Sequence, residues 1–105
     1  QKQAEGELIL RLIQPSDTVV LLDEHGAERT SMEMATWLTR KQQTARRLVF
    51  IIGGPYGFSA DVYGRADEKI SLSRMTFSHQ MVRLIFVEQL YRACTIIRGE
   101  SYHHE

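Results

Sequence analysis

Cysteine is almost absent from this chain of 105 residues: Cys94 stands alone. That excludes an internal disulfide and makes a reducing compartment the simplest expectation. Proline is scarce, and no linker, low-complexity tract or internal repeat divides the sequence. No apolar run approaches the roughly 20 residues needed to cross a bilayer, and the stretch from Gln1 to Glu7 is too polar for a secretory leader. The expectation is a cytoplasmic protein with no membrane partner. Net charge is lacking as well, since thirteen basic side chains balance thirteen acidic ones. That argues against gripping nucleic acid by bulk charge alone. What is present, 43% hydrophobic and 25% charged residues, suits one ordinary globular domain.

The charge is unevenly spread. Residues 1–39 carry three Lys/Arg against seven Asp/Glu, and residues 40–105 carry ten against six. The densest basic stretch is Arg40, Lys41, Arg46 and Arg47. A solvated helix end whose cations complement the C-terminal dipole accounts for it, and so does a phosphate-facing patch.

Leu8, Ile9, Leu12 and Ile13 repeat at helical spacing, so the chain opens with a helix ended by Pro15, Ser16 and Asp17. Thr18 to Leu22 reads as a short strand, followed by Asp23, Glu24, His25 and Gly26 as a polar loop. Thr30 and Glu33 match a capping box ahead of the apolar stripe Met34, Trp37 and Leu38. Leu48 to Ile52 is a continuous apolar run, the pattern of a strand buried on both faces in a parallel sheet, with helices on each side. Ser59 caps a short helix through about Asp67, and Ile70 to Leu72 forms another strand. From about His79 to Ile97 apolar residues occupy most of a helix circumference. Such a helix is buried on more than one face. A domain of this size covers one face, and a second copy of the chain covers the other with a twofold interface, for which Ile85 and Phe86 are candidates. The competing account is a central core helix in a monomer.

Two loops leave strands on the edge where open α/β sheets bind ligands. In LVFIIGGPYGFS, Gly53 and Gly54 permit close backbone approach and Pro55 stiffens the turn, yet the pattern is neither G-x-G-x-x-G nor a P-loop. The second loop, Ser71 to Ser78, runs into the long helix and offers polar and apolar groups that can enclose a flat heterocycle. A structural turn and an irregular connection remain the respective alternatives. The tail ends in Tyr102, His103, His104 and Glu105. It lacks the companions of a zinc site, because no CxxC or HExxH pattern occurs, so no metal is expected. Cys94, inside the long helix, makes a poor nucleophile.

Taken together, VVLLDEHG, FIIGGPYGFS, ISLSRMTFSHQMVRLIFVEQLYRA and the terminal YHHE, in this order and spacing, resemble the ribosomal large-subunit pseudouridine N3-methyltransferases of the SPOUT class. The match extends from about Leu8 to Glu105. The resemblance implies an α/β knot, with a mainly parallel sheet flanked by helices and a C-terminal trefoil knot. It implies S-adenosylmethionine as cofactor, an obligate homodimer, and methylation of N3 of a pseudouridine in large-subunit (23S) rRNA of the assembled ribosome. Carried over by position, the cofactor pocket comprises Leu22, Gly53, Leu72, Ser73, Arg74, Met75, Thr76 and Phe77, while His79, Arg92, Tyr102 and His103 stand near the reacting base. The family commonly has His-Pro at His79-Gln80 and arginine at His104. Its leading strand-helix-strand segment is not found, so the expected unit is a single domain without it. The chemistry is compatible with this reading: such a donor brings its own leaving group, leaving the protein to align the methyl and ease loss of the N3 proton. The alternative from another class is a non-catalytic α/β dimer module that binds a nucleotide or RNA.

Overall fold

The computed structural model describes residues 2–53 and 57–104, so Gly54 and Pro55 lie outside the described residues. Seven elements follow one another among these: α1 (Lys2–Leu12), β1 (Thr18–Glu28), α2 (Ser31–Thr44), β2 (Leu48–Ile52), α3 (Ala60–Arg65), β3 (Glu68–Ser71) and α4 (His79–Ile97). The strands form one parallel sheet in the order β2-β1-β3.

Val19 to Leu22 of β1 are all buried, and successive side chains join opposite faces of the sheet. Val20 and Leu22 join Ile70, Met34, Trp37 and Leu38, with Phe86 and Ala93, in a core beneath α2 and α4. Val19 and Leu21 point the other way and meet Ile51, Phe58 and Val62, with Ile9, Leu10 and Ile13 of the α1 region packed against them. The period-two alternation of a strand thus builds an α/β/α sandwich around β1. Three helices start with side-chain caps, two of them expected from the sequence at Thr30 with Glu33 and at Ser59, the third added by the structure at Ser78. Thr30 and Glu33 complete a capping box on α2, Ser59 accepts from the Val62 amide on α3, and Ser78 accepts from the Met81 amide on α4.

Several expectations need correction. The strand buried on both faces is β1, where Val19, Val20 and Leu21 have no exposure. In β2 only Ile51 is buried, because this strand stands at the edge of the sheet and pairs with β1 alone. Asp23 to Gly26 is not a departure from β1 but an arch within it. Leu22 and Ala27 both register with Ile70 of β3, so four polar residues bulge out while pairing resumes beyond them. Gly26 is required there, since a Cβ would lie 2.6 Å from the Ile70 backbone nitrogen. Pairing starts β3 at Glu68 and ends it at Ser71, which releases Leu72 into the following loop, and α3 stops at Arg65. On α4, Phe86 belongs to the chain's own core, its ring 4.8 Å from that of Phe50, whereas Met81, Leu84, Val87 and Tyr91 are exposed on another face.

Two of the four basic residues noted in the sequence are already paired. Lys41 salt-bridges Glu68, whose Oε1 also accepts the Trp37 indole N–H at 2.9 Å. Arg47 grips the buried Asp17 through Nε at 3.0 Å and through Nη2 at 2.6 Å, and its Nη2 also donates to the Leu12 carbonyl. Arg40 and Arg46 are exposed.

Candidate functional site

The chain runs outward from β1 to β2, then returns past β1 to β3, and a crevice opens at the carboxyl ends where these directions diverge. A cleft of about 640 Å³ occupies this position, within the range of small-molecule sites. Leu22 of β1, Gly53 after β2, and Leu72, Ser73, Met75, Thr76 and Phe77 after β3 all line it. His79, the first helical residue of α4, stands at the same cleft. Three stretches distant in sequence therefore converge because parallel strands deliver their carboxyl ends to one edge.

The loop after β3 is held by its own serines. The Ser71 hydroxyl donates to the Ser73 carbonyl at 3.0 Å, and Ser73 Oγ accepts the Met75 amide at 3.0 Å. From this curled loop Met75 and Thr76 line the cleft, and Arg74 does not. Arg74 is 82% exposed and faces Glu28 at 3.6 Å. At Gly53 a Cβ would meet the Phe58 ring at 3.1 Å, so the missing side chain lets that ring pack against the Gly53 backbone.

Asp23, Tyr63, Ile52, Phe58 and Val82 also line the cleft, and sequence reasoning did not single them out. Asp23 carried a usable signal, being the first polar residue beyond a buried strand on the sheet's ligand edge. Tyr63 carried none. Asp23 Oδ1 accepts the His25 amide at 2.8 Å, and Oδ2 accepts the Tyr63 hydroxyl. Burial opposes the charge on Asp23, but the bonds from Tyr63 and His25 more than offset it and hold its pKa below the usual value. Reciprocally, the bond to Asp23, with burial and the Asp23 charge behind it, pushes the Tyr63 phenol up to about 12. The same cleft is also lined by the N-terminus of α4 at Ser78 and His79, the positive end of a helix dipole.

Arg92, Tyr102 and His103 form a second cluster, away from the cleft. Arg92 Nη2 donates to Glu88 Oε2 at 2.8 Å, and the Tyr102 hydroxyl donates to the same oxygen at 3.0 Å. The guanidinium lies 4.8 Å from the Tyr102 ring centre, and Tyr91 meets that ring edge-on at 5.0 Å. Arg92 Nη1 contacts His103 Nδ1 at 3.0 Å. Because a guanidinium only donates, that nitrogen accepts and the imidazole proton sits on Nε2. Glu88 is held below the usual carboxylate range, chiefly by the Arg92 hydrogen bond, and Tyr102 is raised, chiefly by Glu88. Tyr102 and His103 are thus tied to α4. Glu88 was legible only as an i,i+4 partner of Arg92. His79 and Arg92 are thirteen positions apart on one helix, about 20 Å at 1.5 Å per residue. One chain does not bring these two groups together.

Among the described residues, no three His, Cys, Asp or Glu side chains converge as a metal site, and no helix is long and apolar enough to cross a membrane.

The profile of the family described as "Predicted SPOUT methyltransferase" matches residues 1–103. Among curated proteins, the chain is similar to Ribosomal RNA large subunit methyltransferase H of Bacteroides thetaiotaomicron, at 65% identity over 106 residues, covering 100% of this chain and 68% of that protein. The protein of the same name from Phocaeicola vulgatus is 66% identical with the same coverage. That from Christiangramia forsetii is 61% identical over 105 residues, covering 99% of this chain and 67% of its own length.

Proposed function

The chain belongs to the SPOUT methyltransferase family, and from that premise we propose that it methylates N3 of a pseudouridine in large-subunit ribosomal RNA, using S-adenosylmethionine. The observation that carries the donor part is the convergence of Leu22, Gly53 and the loop after β3 on one cleft. Its size suits the donor, its apolar walls at Leu22, Ile52, Leu72 and Phe77 suit a flat heterocycle, and its acidic wall suits a cation. The C-terminal trefoil knot and a cytoplasmic location belong to this proposal as well.

When bound, S-adenosylmethionine supplies an electrophilic methyl group together with its leaving group. The residues of this chain then have to hold the target ring in line and make loss of the N3 proton easier. Arg92 suits the second task, because a guanidinium beside the ring stabilises the deprotonated form. Glu88 and His103 hold the guanidinium in place. Tyr102, braced by Tyr91 and Glu88, offers a face on which a base can stack. With its Nδ1 engaged by Arg92, His103 offers a donor at Nε2; it becomes a proton acceptor only if Arg92 turns from it to the substrate.

A homodimer resolves the distance between His79 and Arg92. The exposed apolar stripe Met81, Leu84, Val87 and Tyr91 has its midpoint near position 86. Two α4 helices crossing antiparallel about a twofold axis there set position 79 of one against the neighbourhood of Arg92 in the other. The donor cleft of one protomer then faces the Arg92 cluster of its partner, and the base is held between them.

Transfer of a labelled methyl group from S-adenosylmethionine to assembled ribosomes, with the product mapped to N3 of a pseudouridine, tests the proposal on the full-length protein. A protein that binds the donor but leaves large-subunit RNA unlabelled is a non-catalytic binding module, and the proposal fails.

A further inference from the structure

Apart from the partial positive charge at the start of α4, the fixed charges on the cleft are acidic. Asp23 and Glu24 line it, and among the described residues no lysine or arginine does. The Asp23 side chain is 6% exposed, yet its oxygens are bonded by His25 and Tyr63, which keep it ionised at neutral pH. Tyr63, from α3, also lines the cleft and is 41% exposed. Its proton is committed to Asp23, so the phenol oxygen meets a ligand only as an acceptor. The Lys69 ammonium lies 5.7 Å from the Tyr63 ring centre without lining the cleft. Asp23 and Tyr63 stand 40 residues apart in sequence and form one acidic, acceptor-only wall.

We propose that Asp23 and Tyr63 are a charge-selecting pair, which makes the cleft hold the cationic methyl donor more tightly than its neutral demethylated product. The inference rests on the reading of this cleft as the donor site. Methyl transfer turns a sulfonium into a thioether: the sulfur–carbon bond breaks as the bond from that carbon to N3 of the target ring forms, and the N3 proton is lost to solvent. The electron pair of the broken bond stays on sulfur, and the positive charge at sulfur disappears. The adenosine and amino-acid parts are unchanged, so the two ligands differ in charge at one atom and by one methyl group. A fixed carboxylate in the wall of a partly buried site would discriminate between the two by about tenfold. The reaction thereby weakens the hold on its own product, which leaves and makes room for the next donor. Tyr63 carries the acceptor oxygen to the surface of the cleft while Asp23 supplies the charge behind it.

Titration calorimetry of the full-length protein with S-adenosylmethionine and S-adenosylhomocysteine separately, at neutral pH, tests the pair. Asp23→Asn keeps the shape and removes the charge; the ratio of donor to product affinity is expected to fall by about tenfold while product affinity changes less than about twofold. Tyr63→Phe is expected to lower the same ratio by a smaller factor, and its mild character keeps the test decisive if the Asp23 variant fails to fold. In Asp23→Asn, ultraviolet titration should show a tyrosine ionising at lower pH, which reports loss of the pair independently of any ligand. A ratio unchanged in the folded variants, or equal weakening of both ligands, overturns the charge selection and leaves the donor site standing. Binding of neither ligand by the unaltered protein overturns the donor-site reading itself.

Discussion

Leu84→Glu and Phe86→Ala sit two positions apart on α4 and should fail in opposite ways. Leu84 is 65% exposed and Phe86 is 5% exposed. In an isolated chain a glutamate at position 84 is a surface change worth no more than about 0.5 kcal/mol. Across a twofold interface the same substitution occurs twice, and each buried, unpaired carboxylate costs about 3 kcal/mol. The pair of charges then weakens association by about 6 kcal/mol, or roughly ten-thousand-fold. Phe86→Ala instead empties space beside Phe50 within the chain's own core, at a cost of about 3–5 kcal/mol. For a domain this small that lowers the melting temperature by more than about 10 °C. Sedimentation at micromolar concentration, read beside thermal melts, separates the two: Leu84→Glu should yield folded monomers, and Phe86→Ala a destabilised protein. A monomeric unaltered protein, or a Leu84→Glu variant that dimerises normally, would refute the interface.

Removing residues 102–105 should leave donor affinity and dimerisation intact while slowing methylation of ribosomes by about a hundredfold or more; a full rate, or a defect confined to donor binding, would sink the role given to the tail. Asp17 is held below the usual aspartate value of 3.8, first by its Arg47 hydrogen bond, so its contribution to stability is complete above that value and is lost as pH falls through the lower folded one. The melting advantage over Asp17→Asn should accordingly be widest at neutral pH and narrow in acid. Gly26→Ala should destabilise strongly because its Cβ would strike the Ile70 backbone, whereas Gly64→Ala, with nothing within 4 Å, should stabilise α3 by about 0.5–1 kcal/mol. Thermal melts of the two variants check the contrast, and equal effects would contradict the arch in β1.

Local signals alone determined the elements and much of their ends. Thr30 with Glu33, Ser59 and Ser78 each offer an oxygen to an amide three residues on, a contact within one turn that needs no distant partner. Periodicity likewise revealed α4 over the span that the fold adopts, and the loops after the strands drew attention to most of the cleft. Only the tertiary structure decided which strand is central, because Val19 to Leu22 and Leu48 to Ile52 are both apolar runs and their burial depends on which neighbours pair with them. It also decided which face of α4 is committed: Phe86 meets Phe50 from another element, while Leu84 is left 65% exposed. The link from Asp23 to Tyr63 comes from the same source, whereas the distance from His79 to Arg92 follows from helix rise once the span of α4 is known. A side chain's local period says that it is apolar or polar at a given angle, and the physical meaning of that angle is set by what the rest of the chain places there.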